Sequence, residues 1–284
     1  MTNSKSLGDQ ARSISKKLSN IARTRETAYV NVLTEFLIER LLTRITSDKN
    51  LQKVLVFKGG FVSLKIYSSP RYTIDLDAVL KKADIRKVLD QVREVAGKDL
   101  GDGVWFRFES EVSLTAQREY GGIRLIFRSG IGEVLNDIKR AQVINFDLGI
   151  GDPITPAPAE VKTPMLLDKD PVYWQVYPIE TIIAEKIHAL IDRGSDNSRS
   201  KDIFDLYLFL PKADSKRLKV ALKACFEYRE TQLPENLVGE LKKINLNLLS
   251  KGWSGATATI DGAPTCEEAF KEIVKVLTRL EKSW

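Results

Sequence analysis

Apolar residues at helical spacing open the chain. Val30, Leu33, Phe36, Leu37, Leu41 and Ile45 recur every three to four positions, and residues 8–46 are expected to be helical. The period then shortens. Val54-Leu55-Val56-Phe57 is a short apolar run ending at a Gly-Gly pair, as a buried strand would. Gly60 to Tyr67 fits a short helix broken by Ser68-Ser69-Pro70, Ile74 to Leu80 a strand, and Ala83 to Val95 a helix. Val104 to Phe108, Glu111 to Thr115 and Gly122 to Phe127 read as three more strands. In Val143 to Leu148, Ile144, Phe146 and Leu148 share one face, and Val143, Asn145 and Asp147 the other.

A proline-rich bridge, Pro153 to Pro158, marks a change of lobe. Tyr173 to Tyr177 is read as a short strand. From Pro178 the pattern is helical almost to the end, with breaks at Gly194 to Ser198, Pro211, Thr231 to Pro234 and Gly252 to Pro264. The expected class is α+β. Residues 1–155 would form N-terminal helices and a strand-rich lobe with a mixed sheet, and residues 156–284 a mainly helical lobe.

Composition narrows the function. The chain has 284 residues, 43% of them hydrophobic and 29% charged, which is the balance of a soluble globular protein. No apolar run is long enough to span a bilayer, so no membrane partner is expected. Met1-Thr2-Asn3-Ser4-Lys5 has no apolar segment behind it, which argues against a secretory signal. Two distant cysteines, Cys225 and Cys266, make no disulfide framework, and the expected compartment is a reducing cytoplasm. The single His188 excludes any mechanism that needs two histidines. It falls on the polar side of its helix with Thr181, Glu185 and Asp192 and is expected at the surface. The net charge of +6 is compatible with a nucleic-acid partner and equally with a solvated surface.

The chemistry concentrates in two stretches. Phe57-Lys58-Gly59-Gly60 is a glycine turn that lets backbone amides approach a phosphate. Thr73-Ile74-Asp75-Leu76-Asp77 places two carboxylates on one strand face, which is costly unless a cation or solvent compensates them. Together they point to Mg²⁺-dependent (or Mn²⁺-dependent) chemistry on a nucleoside triphosphate. Asp147 is the candidate third carboxylate; its alternative is an edge-strand charge facing solvent. Lys186 sits inside the apolar stripe of Ile182, Ile183, Ile187 and Leu190, where it either meets an anion or snorkels outward. Asp202 and Asp205 share a helix face and either could pair with it. Helix capping is the simpler role for Asp202.

These motifs resemble, in order and spacing, the AbiEii/AbiGii nucleotidyltransferase toxins. Those that carry the resemblance are Glu39-Arg40-Leu41-Leu42, Phe57-Lys58-Gly59-Gly60, Arg71 to Asp77, Pro178 to Leu190 and Arg199 to Tyr207. The resemblance implies a DNA-polymerase-β-like nucleotidyltransferase lobe, a C-terminal helical lobe and a toxin–antitoxin role. It further implies transfer of nucleotides to the 3′ acceptor end of tRNA, which blocks translation, and a cognate antitoxin as partner. Carried over by motif, Gly59 and Gly60 would contact the triphosphate with Lys58 nearby. Asp75 and Asp77 would bind metal, with Asp147 on the third-carboxylate strand. Lys186 would neutralise phosphate charge, and Asp202 or Asp205 would complete the second motif. Arg71 and Thr73 belong to the same expected nucleotide-binding set. Phe61 stands where the family often has a small hydroxyl residue, and Ser63 is the candidate substitute.

In the expected mechanism the triphosphate binds between the lobes, Asp147 takes the proton of the incoming 3′-hydroxyl, and Lys186 steadies the departing pyrophosphate. Transfer to a protein hydroxyl or a small molecule, and a catalytically silent nucleotide- or RNA-binding module, are the alternatives.

Overall fold

The computed structural model describes residues 6–81, 83–114, 121–150, 154–168, 170–194 and 199–284. Thr115, Pro153 and positions 195–198, which figure in the expectations above, lie outside the described residues. Two compact units are present. The first comprises Met1–Val62, Tyr72–Gly151 and Glu160–Val176; the second comprises Ser63–Arg71, Asp152–Ala159 and Tyr177–Trp284. Glu160–Val176, beyond the proline-rich bridge, returns to the first unit.

The first unit holds helices α1 (Leu7–Thr24), α2 (Tyr29–Ser47) and α3 (Lys49–Val54), then strand β1 (Leu55–Lys58) and the start of α4 (Gly59–Tyr67). Next come β2 (Asp75–Leu80), α5 (Ile85–Ala96), β3 (Val104–Ser113), β4 (Gly122–Ile131), β5 (Gln142–Ile150), β6 (Ala159–Thr163) and β7 (Val172–Val176). The strands form one mixed sheet in the order β3-β4-β5-β2-β1-β7-β6. β2 runs antiparallel to β1 and parallel to β5, which puts it near the middle.

The two strands expected at 104–108 and 111–115 are one. A register shift between Phe108 and Ser110 carries β3 through the polar break as a bulge. β6 escaped the sequence reading because five residues reading Ala-Glu-Val-Lys-Thr carry too weak an alternation.

Leu76 on β2, Phe146 on β5 and Leu125 on β4 stand side by side and are fully buried. Gln142 shares their face of β5 and donates to the Thr34 hydroxyl of α2 at 3.4 Å. α2 therefore covers the apolar face, which explains why it is buried along most of its length. Arg44 of α2 is also buried, its guanidinium held by both oxygens of Asp102 at 2.8 and 3.0 Å and by the Val104 carbonyl at 2.8 Å. The opposite face of β2 and β5 carries the acidic residues.

The second unit is helical: α6 (Ile179–Arg193), α7 (Ser200–Phe209), α8 (Ser215–Tyr228), α9 (Leu237–Leu241), α10 (Leu246–Lys251), α11 (Trp253–Thr257) and α12 (Cys266–Glu281). α6 packs on α7 and α8, and α7 on α11 and α12. A capping box of Thr265 and Glu268 starts α12. Cys225 and Cys266 are free and buried. No described helix is long and apolar enough to cross a membrane.

His188 is not at the surface: only 1% of it is exposed. The helical wheel misplaced it because α6 is buried on several sides, Glu180, Thr181 and Ala184 included. Arg229 can only donate, and its Nη1 lies 2.9 Å from Nδ1, so the ring proton sits on Nε2 and points at the Thr231 hydroxyl 2.9 Å away. Burial, reinforced by the Arg229 charge, lowers the imidazole from 6.5 to about 4. The unfolded chain therefore binds a proton that the folded chain refuses. Stability is complete above pH 6.5 and declines as pH falls from there towards 4. This effect is at most about 3 kcal/mol. Urea denaturation at pH 7.5 and pH 5 should show that loss in the wild type and a clearly smaller one in His188→Gln; equal losses would remove His188 as the cause.

Candidate functional site

β1 and β2 build the centre of the first unit. Val56 and Phe57 anchor β1 in the core, and Phe57 and Phe61 both pack on Trp174, their ring centroids lying 5.3 and 5.9 Å from its own. The anchored strand delivers the chain to Gly59, whose φ is +75°, a conformation in which a side chain is strained. There is also no room for one. A Cβ on Gly59 would lie 2.1 Å from Asp77 Oδ2 and 2.6 Å from Asp77 Cγ. A Cβ on Gly60 would meet Thr73 Cβ at 2.9 Å. The glycines are what allow the turn to lie directly on Asp77 and Thr73. α4 begins at Gly59, so the amides of its first turn lack intrahelical acceptors and give that end of the helix a positive dipole.

Asp75 and Asp77 point to the same face of β2, and both are half-buried. The Thr73 hydroxyl accepts from the Asp75 amide at 3.2 Å and fixes the entry into the strand. Cross-strand register completes a row of side chains on this face: Lys58 of β1 is opposite Asp77, Asp77 is opposite Asp147 of β5, and Asp147 is opposite Arg124 of β4. The row reads positive, negative, negative, positive. One step along, Asn145 stands opposite Asp75 and donates to its Oδ1 from Nδ2 at 2.8 Å.

Asp147 is fully buried on an interior strand, which excludes the edge-strand reading. Its two oxygens accept from Arg124 Nε at 2.7 Å and Nη2 at 2.9 Å. The same Nη2 lies 3.4 Å from Asp75 Oδ1. The hydrogen bond to Asp147, with the charges of Asp147, Asp75 and Asp77 behind it and burial opposing, holds the Arg124 guanidinium above its ordinary range.

The row can be tested for a divalent cation. Asn145 Oδ1 is buried without a hydrogen-bond partner, because Nδ2 is committed to Asp75. Two carboxylates and an amide oxygen on one face are hard oxygen donors of the kind Mg²⁺ and Mn²⁺ take, with phosphate oxygens and water completing the shell. Among the described residues no three His, Cys, Asp or Glu side chains form a metal-holding group. Asp75 and Asp77, the half-buried carboxylates of the row, are the residues that would hold such an ion.

The second unit has its own charged cluster. Lys186 Nζ donates to Asp202 Oδ1 at 2.6 Å and approaches Asp205 Oδ2 at 2.7 Å. Arg71 Nη1 donates to Asp205 Oδ1 at 2.7 Å and to the Lys201 carbonyl at 3.2 Å, and Arg199 Nη1 to Asp202 Oδ2 at 3.0 Å. Burial alone would lower the Lys186 ammonium; the charges of Asp202 and Asp205 outweigh it and raise the group above its ordinary range. Burial likewise acts to raise Asp202, and Lys186 outweighs it, holding the carboxyl below its ordinary value. Lys186 thus meets anions rather than snorkelling, and Asp202 is an ion-pair partner in the first turn of α7.

The structure accordingly gathers Lys58, Gly59, Gly60, Thr73, Asp75, Asp77 and Asp147 in the first unit and Arg71, Lys186, Asp202 and Asp205 in the second. Ser63 is buried one turn into α4. Sequence reasoning missed Arg124, and it left Asn145 without a role. The alternation of β5 was the available signal for Asn145; Arg124 becomes visible only through the pairing of β4 with β5.

No curated protein shows significant sequence similarity to the chain. Solved structures do show its fold. JHP933 of Helicobacter pylori is 17% identical with a TM-score of 0.53, over 90% of this chain and 94% of that one. A proposed nucleotidyltransferase of H. pylori is 17% identical with a TM-score of 0.51, over 90% and 96%. Residues 40–276 match the family model described as nucleotidyl transferase AbiEii toxin, type IV toxin–antitoxin system, a span that includes every motif from Lys58 to Asp205. The chain belongs to the AbiEii nucleotidyl transferase toxin family.

Proposed function

We propose that the protein is a Mg²⁺- or Mn²⁺-dependent nucleotidyltransferase that moves a nucleotide from a nucleoside triphosphate to the 3′ acceptor end of tRNA, and that it acts as the toxin opposite a cognate antitoxin. One observation carries the reading: the Gly59 turn lies so close on Asp77 that no side chain fits between them. A carboxylate at the start of a helix is held there beside amides suited to a phosphate. Family membership supports the toxin role, and the net charge of +6 suits an RNA partner. Triphosphates and tRNA place the reaction in the cytoplasm.

The chain's own residues divide the work. Asp75 and Asp77 hold the cation, with Asn145 orienting Asp75 through its 2.8 Å hydrogen bond. A bound Mg²⁺ or Mn²⁺ supplies charge neutralisation and polarisation at the reacting phosphate. Gly59 and Gly60 let the first turn of α4 receive the phosphates, and Lys58 adds positive charge in the same row. In the second unit Asp202 and Asp205 keep the Lys186 ammonium charged. Removing Lys186 leaves Asp202 with Arg199 and Asp205 with Arg71 but takes away the ammonium they share, so activity in Lys186→Ala has to be read beside its stability.

Purified protein is incubated with total tRNA, Mg²⁺ and each α-labelled triphosphate in turn. The wild type should label tRNA with a preferred base, less so as salt rises, and Asp77→Asn should lose about a hundredfold or more. Label on protein, or equal transfer by Asp77→Asn, would contradict the reading. Gly59→Ala makes a separate point. Its strain costs about 1–3 kcal/mol in stability, yet it drives Asp77 from its place. Triphosphate binding by calorimetry should fall about tenfold or more in a folded variant; unchanged binding would separate the glycine turn from the site.

A further inference from the structure

The third carboxylate is already occupied. Arg124 Nη2 stands 2.9 Å from Asp147 Oδ2 and 3.4 Å from Asp75 Oδ1, so one nitrogen bridges the two strands. A second cation shared by Asp75 and Asp147 would need that position. The bidentate geometry, with Nε on the other Asp147 oxygen at 2.7 Å, engages both oxygens of the fully buried carboxylate. Withdrawing Arg124 would strand a buried anion, which is strongly unfavourable. The pairing is also set by the fold: Arg124 and Asp147 are directly opposite in the β4–β5 register, on the same face as Asp77. An arginine there cannot lose its proton, so its charge is constant where a metal's occupancy would vary.

We infer that this is a one-cation site, in which the guanidinium of Arg124 permanently takes the place a second metal ion would hold between Asp147 and Asp75. The inference rests on the function proposed above. It makes Arg124 a positioning residue that fixes Asp147 and steadies Asp75, and it relieves Asp147 of both the metal-ligand and the proton-acceptor role expected from sequence. Both its oxygens already accept from Arg124, so neither is turned to an incoming hydroxyl.

Bound Mn²⁺ is counted by electron paramagnetic resonance on the full chain, alone and with α,β-methylene triphosphate analogues. The wild type should bind one ion per chain in both conditions. Asp77→Asn should weaken it about tenfold or more, while Asp147→Asn stays within about threefold. Arg124→Gln, which frees Asp147, should admit a second ion. Where that variant does not fold, the wild-type count and Asp147→Asn carry the test. Two ions per wild-type chain, or an Asp147→Asn loss equal to that of Asp77→Asn, would overturn the inference and leave the function standing. Absence of Mn²⁺ binding by the wild type, with triphosphate binding that ignores Asp77→Asn, would overturn both.

Discussion

Like charges at close quarters set the terms of this structure. Asp75 and Asp77 are two residues apart on one strand, and Asp147 stands opposite the second of them. Three carboxylates on one face of a sheet repel, and burial raises the cost. The sheet answers with placement. Lys58 and Arg124 flank the row on either side, and Asn145 donates to Asp75. Exposure is unequal. Asp147 is fully buried against Arg124, whereas Asp75 and Asp77 retain some exposure and have the Gly59 turn lying beside them.

The rest of the first unit supports this arrangement. Apolar residues on the far face of β2, β4 and β5 lie under α2, which keeps the polar face clear for chemistry. Phe61 illustrates the trade. It stands where a small hydroxyl would have offered a phosphate contact, and it is buried against Trp174 instead. The side chain anchors the start of α4 in the core, and the backbone of the glycine turn is what remains for an anion.

Much of this was legible in the sequence. The Asp75/Asp77 pair follows from a period of two, the turn from Gly59-Gly60, and the mixed sheet with a helical C-terminal part from the succession of patterns. These are local signals. What escaped depends on contacts between distant segments. Arg124 looked like one more charge in a strand, because a residue's opposite number is fixed by hairpin register and bulges rather than by its neighbours in sequence. His188 shared a helical face with polar residues, but α6 is packed on that side too. β3 read as two strands because a bulge interrupts the alternation while the pairing with β4 continues.

The most direct test of the central claim is crystallographic. Crystals grown with Mn²⁺ and an α,β-methylene triphosphate are measured at the manganese absorption edge. The account predicts anomalous density between the Asp75 and Asp77 carboxylates, phosphates at Gly59 and Gly60, and Arg124 still on Asp147. Density elsewhere with none at the pair, or a manganese ion on Asp147 with Arg124 displaced, would contradict it.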